Sequence, residues 1–321
     1  MYKIIMAPVD LSPMESQALS VATRLARQFD ATLHLVRAVA PPVVIQTIPP
    51  MKAFEITEQA LAEEHEACRK KLEALGAQIE NEAGIRVRTT LKDGRVTQSL
   101  RDFAAEIGAD LIVMTSHSRG GLERLSLGSV TDYLIRDTHI PVLVVKPDVP
   151  LFDEASGVTS RIVVPLDGSE MAQEILPQVI ALASAFKATV TLLQVLTPQT
   201  YSQKRIVQPG LPWWDADMAA ADAYLSGQAE IIAAGGVTVT TEVTLNTDVP
   251  AAILDYAIRN KATSLAVATN GVGGLRRFVF GTVADELTRK SPISLLVFHP
   301  NVEAATETVR GAPAATAATG N

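Results

Sequence analysis

The sequence predicts an α/β protein made of two tandem copies of one unit, each a parallel sheet with helices on both faces. Three observations predict it. Short apolar runs alternate with amphipathic stretches, the βαβα order that builds parallel sheets covered by helices. The stretch LIVMTSHSRGGLERLSLGSVTDYLIRDTHIPVLVV at 111–145 has a second version, SLAVATNGVGGLRRFVFGTVADELTRKSPISLLVF, at 264–298. Finally, 321 residues of which 47% are hydrophobic suffice for about two domains with real cores.

Taken in order, Lys3 to Val9 is a near-continuous apolar run, the pattern of a strand buried on both faces, and Asp10 ends it. Ser12 and Pro13 then open a helix over Met14 to Phe29, with Ala18, Val21, Ala22, Leu25 and Ala26 on one stripe. Thr32 to Val39 reads as the second strand. The VVIQTI segment between proline pairs at 41–50 reads as an irregular crossover, followed by a long charged helix from Thr57 to Glu80. Arg86 to Leu91 is the third strand and Gln98 to Ile107 a further helix. The stretch 111–145 supplies the fourth strand, the fourth helix and the fifth strand.

The second half repeats this plan. Pro8, Asp10 and Ser12 match Pro165, Asp167 and Ser169, and Ala31-Thr32-Leu33 matches Ala188-Thr189-Val190, all 157 residues apart. Gly128 and Gly281 are 153 apart, so a few residues are lost between these points, in the crossover and second helix. One long offset held across separate elements is the mark of a duplicated domain and not of a short-period solenoid. The expected organisation is a first domain at 1–147, a linker at 148–159, a second domain at 160–300 and a mobile Ala/Thr-rich tail at 301–321.

Composition excludes several classes. A net charge of -7 and a pI near 5.3 offer no basic surface to nucleic acid or anionic lipid. The single cysteine, Cys68, forbids an intrachain disulfide and fits a reducing compartment. The opening MYKIIMAPVD is too short for a secretory apolar region, and no run approaches a membrane span, so a cytoplasmic location is expected. His65 and Cys68 lie one helical turn apart among Glu63, Glu64, Glu66, Arg69 and Lys70, the composition of a solvated helix face, so no metal site is expected. Neither a Walker loop nor a nucleophile elbow occurs, and Gly271, Gly273 and Gly274 lack dinucleotide-fingerprint spacing. Trp213 and Trp214 fall in the second crossover, packed over the sheet edge.

The strand ending in PVD with a Ser after it, the loop with Gly-Ser or Gly-Thr entering a helix, and the closing PVLVV strand together resemble a tandem universal stress protein, over Tyr2 to Lys146 and again over Arg161 to His299. The resemblance implies two Rossmann-like domains of the adenine nucleotide alpha hydrolase-like type, each a five-stranded parallel sheet of order 3-2-1-4-5. It also implies pairing of the two domains through their fifth strands as a pseudo-twofold, and a homodimer of chains. In that order strands one and four are neighbours where the connections reverse, so their carboxyl ends flank the crevice where open α/β sheets bind ligands.

The nucleotide-binding branch of the family resembles Gly, two residues, Gly, nine residues, Gly and then Ser or Thr. Glycines admit close backbone approach, and the last pair sets N–H groups and a hydroxyl at a helix N-terminus. In the first half Thr115 and Ser118 stand at the first two glycine positions, followed at the right spacing by Gly128, Ser129 and Val130. In the second half Ala268 replaces the first glycine while Gly271, Gly281, Thr282 and Val283 keep the pattern. Because a β-branched Thr is costly wherever φ is positive, the second copy ranks above the first. Resemblance places the adenine near Val9, Asp10 and Ala38 in one half and Leu166, Asp167 and Val195 in the other. His117 sits inside the first loop, and Arg119, Arg124, Arg276 and Arg277 lie between loop and helix, where they could reach phosphate oxygens; a local hydrogen bond for His117 and solvated surface arginines are the alternative readings. An ordinary structural role stands beside this: Ser129 and Thr282 as N-caps, each worth about 1 kcal/mol, with Gly128 and Gly281 serving only the turn.

The function expected is regulatory binding of an adenine nucleotide, ATP or AMP, with Mg²⁺ accompanying a triphosphate. A scaffold with eroded sites and a slow ATP hydrolase are the alternatives. For the latter no base, nucleophile or transition-state cation stands out.

Overall fold

A computed structural model of the chain describes residues 2–12, 15–40, 58–116, 127–146, 151, 159–197, 212–269 and 281–300. The first half runs β1 (Ile4–Pro8), α1 (Ser16–Phe29), β2 (Thr32–Val39), α2 (Glu58–Ala83), β3 (Val87–Asp93), α3 (Val96–Glu106), β4 (Leu111–Thr115), α4 (Ser129–Asp137) and β5 (Val142–Val145). The second runs β6 (Arg161–Pro165), α5 (Glu170–Gln173), α6 (Leu176–Phe186), β7 (Thr189–Leu196), α7 (Pro212–Ala234), β8 (Val239–Leu245), α8 (Val249–Arg259), β9 (Ser264–Ala268), α9 (Thr282–Lys290) and β10 (Ser294–Phe298).

All ten strands join one sheet in the order β3-β2-β1-β4-β5-β10-β9-β6-β7-β8. Within each half this is 3-2-1-4-5 with parallel neighbours, as the resemblance implies. At the centre β5 and β10 run antiparallel, with Leu143 opposite Leu296.

Strand parity explains the two-sided core. Successive side chains of a strand point to opposite faces. In β4, Leu111 and Val113 face one layer while Ile112 and Met114 face the other; in β5, Leu143 and Val145 part from Val142 and Val144 in the same way. The first layer is covered by α1, α6 and the apolar faces of α2 and α7, the second by α3, α4, α8 and α9. Each layer is continuous across both halves. An uninterrupted apolar run is therefore what a central strand needs here, since either parity buries.

Other contacts cross the centre. The Tyr2 hydroxyl donates to Gln178 Oε1 at 2.7 Å, Arg24 Nε donates to the Ala185 carbonyl at 3.1 Å, and Arg136 pairs with Asp285. His299, just beyond β10, is 3% exposed and sits between the Thr269 hydroxyl and the Ile135 carbonyl of α4.

Several local expectations are corrected. The first helix starts at Ser16, with Glu15 at its N-cap, while the Ser12 amide instead donates to Asp10 Oδ1 at 2.8 Å in a turn that ends β1. Ser129 and Thr282 are not caps: they are the first helical residues of α4 and α9, and Gly128 and Gly281 occupy the cap positions with no side-chain cap bond. The physical reason is that a residue already in helical φ/ψ cannot turn its own hydroxyl onto the N2 or N3 amide as a cap does. Trp213 and Trp214 lie in the first turn of α7, not in the crossover. The 41–50 crossover, all of the 148–159 linker except 151 and 159, and the 301–321 tail lie outside the described residues.

Candidate functional site

The neighbouring pairs β1–β4 and β6–β9 are where the chain connections reverse direction, so a crevice opens at the carboxyl ends of each pair. In the second half this crevice is a cavity of about 210 Å³. One wall is the end of β6, with Leu166 and Asp167. Leu193 and Val195 of β7 and Ile253 of α8 form an apolar floor. Ala268 at the end of β9 faces Gly281, Thr282 and Val283 at the start of α9 across it.

Local chemistry fixes each part. Leu166 is tied to β7 through its amide on the Leu193 carbonyl at 2.9 Å. After it, Asp167 Oδ1 accepts from the Ser169 amide at 2.9 Å, and Gly168 takes a positive φ of 87°. The Ser169 hydroxyl accepts from the Ala172 amide at 3.2 Å and starts α5. In α9 the first intrahelical bond found is Asp285 N–H to the Gly281 carbonyl at 2.9 Å, so the amides of Thr282, Val283 and Ala284 precede the ladder. The site thus joins an apolar surface with a cluster of N–H donors and one hydroxyl suited to an anion.

Gly281 is informative. Its φ is -60°, a conformation open to every residue, and an added Cβ meets nothing within 4 Å among the described residues. Neither backbone strain nor packing among the described residues calls for glycine there.

The first-half crevice is smaller, about 110 Å³, and is lined by Val9, Asp10, Ala38, Thr115, Gly128 and Val130 together with Glu15, Arg37 and Thr131. Here the Gly128 amide donates to the Ser116 carbonyl at 2.8 Å, and the Thr131 hydroxyl donates to the Thr115 carbonyl at 3.1 Å. Of the residues named from sequence, seven in the second half and six in the first gather around their crevices. Ser129 does not line its cavity, and Ser118, Gly271, His117 and the four loop arginines lie outside the described residues.

Backbone strain at the first motif position does not separate the two copies. Thr115 and Ala268 end extended strands, and neither is among the residues with positive φ, so Thr carries no backbone penalty there. A different residue separates the halves, one the motif comparison passed over. Glu15 is 7% exposed and reaches into the first crevice, accepting from the Asp10 amide and, at 3.1 Å, from the Leu11 amide. Burial, reinforced by the Asp10 carboxyl, pushes it up to about 8. At the same 157-residue offset the second half has Ala172. The signal in the sequence is the Glu15–Ala172 difference five residues after Asp10 and Asp167.

Among the described residues no cluster of three or more His, Cys, Asp or Glu side chains could hold a metal ion, and no helix is long and apolar enough to cross a membrane.

Comparison with known proteins agrees with this architecture. A universal stress protein of Methanocaldococcus jannaschii is 34% identical over 147 residues, covering 46% of this chain and 83% of that protein. One from Mycolicibacterium smegmatis is 24% identical over 302 residues, covering 92% of this chain and 97% of its own length. Among solved structures, a universal stress protein of Archaeoglobus fulgidus aligns with a TM-score of 0.63 at 18% identity, covering 93% of this chain and 98% of that one. A putative universal stress protein of Pseudomonas aeruginosa aligns at 0.66 and 17%, covering 96% and 97%. The sequence profile of the Universal stress protein family matches residues 1–146 and again 159–299, and the chain therefore belongs to that family as two of its units in tandem.

Proposed function

We propose that the chain binds an adenine nucleotide, ATP or AMP, as a regulatory ligand in the second-half crevice. The observation that carries the reading is Gly281: among the described residues neither its conformation nor any neighbouring atom calls for glycine, which supports a ligand approaching the backbone there. In this reading the adenine lies against Leu166, Val195 and Ala268 near Asp167, and the phosphates meet the first amides of α9 and the Thr282 hydroxyl. Gly271 completes the motif. A triphosphate would bring Mg²⁺ with it, and Thr282 is the hydroxyl that would stand nearby in this half. The domain division at 1–147 and 160–300, a cytoplasmic location and a homodimer belong to the same reading. Since β5 and β10 already pair with each other, the dimer contact lies on another surface.

Isothermal titration of the purified chain with ATP and AMP tests this, with Gly281→Asp as the control. Among the described residues the added Cβ meets nothing within 4 Å, and the carboxylate repels phosphate; folding of the variant is verified by melting. The expected result is binding by the parent chain and at least a tenfold loss in the variant. Absence of heat with either nucleotide sinks the proposal, and unchanged affinity in Gly281→Asp misplaces the site.

A further inference from the structure

We infer that Glu15 is a specificity-determining residue that keeps the first-half crevice closed to phosphorylated ligands and leaves the second half as the one nucleotide site. The inference rests on the reading just proposed, but on separate residues.

The turn after the first strand of each half places a left-handed residue at the same position and closes with the same Asp–Ser amide bond. In the second half Gly168 takes φ 87°, a conformation natural to glycine. In the first half the equivalent residue is Leu11, which takes φ 60° although a branched side chain seldom does so. A left-handed residue at this point brings successive N–H groups together into a concavity that favours a negative oxygen. In the first half the Glu15 carboxyl fills that concavity, one oxygen on the Asp10 amide and the other on the Leu11 amide. In the second half Ala172 has no oxygen to offer, and among the described residues the Asp167 and Gly168 amides have no carboxylate on them.

Three consequences act together. The donors that make the turn attractive to an anion are already used. The Glu15 side chain also adds four heavy atoms beyond the Cβ that alanine has, in a crevice of about 110 Å³ against about 210 Å³. Beyond this, the Glu15 carboxyl also bonds the Asp10 side chain, an interaction that the Ala172 side chain cannot make with Asp167. Arg37, a cation on the crevice wall, has its NH1 turned onto the Val9 carbonyl at 3.4 Å.

The test is the number of ATP molecules bound per chain, measured by titration on the full-length protein with Mg²⁺, with folding verified by melting. The parent chain should bind one, Glu15→Ala should bind two, and the reciprocal Ala172→Glu should weaken ATP at least tenfold. Two sites in the parent, one site in a folded Glu15→Ala, or unchanged affinity in Ala172→Glu each overturns the role of Glu15 while leaving nucleotide binding standing. No binding by the parent and none by Glu15→Ala overturns the nucleotide reading and, with it, this inference.

Discussion

Acid should weaken this fold through His299, and the size of the effect follows from its surroundings. The imidazole is almost fully buried at the junction of the halves, with one nitrogen on the Ile135 carbonyl and the other on the Thr269 hydroxyl. The carbonyl only accepts, so Nε2 carries the proton and Nδ1 accepts from Thr269. A second proton would charge a group that burial, above all, holds neutral, with His139 and Arg136 adding to the effect; together they push the imidazole down to about 4 from its ordinary 6.5. The folded value is depressed, so the unfolded chain takes up the proton first. Stability is therefore complete above about pH 6.5 and drains away as pH falls toward 4, by about 3 kcal/mol in all. Glu15 runs the other way: its raised value makes stability fall as pH rises from the ordinary carboxylate range toward 8. The assay is urea unfolding at pH 7.5 and pH 4.5 for the parent and for His299→Gln, which leaves Glu15 and the other carboxyls common to both. The parent should lose about 2 to 3 kcal/mol more than the variant between the two pH values. Equal losses would show that His299 does not titrate as its burial dictates.

Two further predictions concern the folded state. Ser129→Ala should change stability by no more than about 0.3 kcal/mol, whereas Asp248→Ala, which removes an acceptor 3.0 Å from the Ala251 amide at the start of α8, should cost about 1 kcal/mol by thermal or urea melts. The reverse order would restore the capping role to Ser129. Leu296→Ala, at a fully buried position opposite Leu143 in the core shared by both halves, should cost about 3 kcal/mol in urea unfolding. A loss under about 1 kcal/mol would mean the central strands contribute little.

Much of the fold is written in local patterns. Runs such as LIVMT and VLVV mark strands buried on both faces, and the stripe of Ala18, Val21, Ala22, Leu25 and Ala26 is the buried face of α1, because periodicity along the chain is periodicity in space. Helix starts are less legible. Ser129 resembles a cap in sequence, but whether a residue stands just outside a helix or just inside it depends on one pair of dihedrals that neighbouring packing sets.

The candidate site divides along the same line. Sequence alone determined the duplication and the strand and helix pattern, because repeated spacing reports a repeated unit; the family resemblance supplied the group of residues from Leu166 to Val283, seven of which line one crevice. Tertiary structure decided what fills each crevice. Nothing in the letter at position 15 says that its carboxyl folds back onto the Asp10 and Leu11 amides, nor in the letter at 281 that no described atom lies within 4 Å of a Cβ placed there. Those facts depend on a left-handed turn and on the distance between elements far apart in sequence. The meeting of β5 with β10 likewise makes one ten-stranded sheet of two domains, since hydrogen bonding along a strand edge depends on which edge lies free in space and not on the residues that compose it.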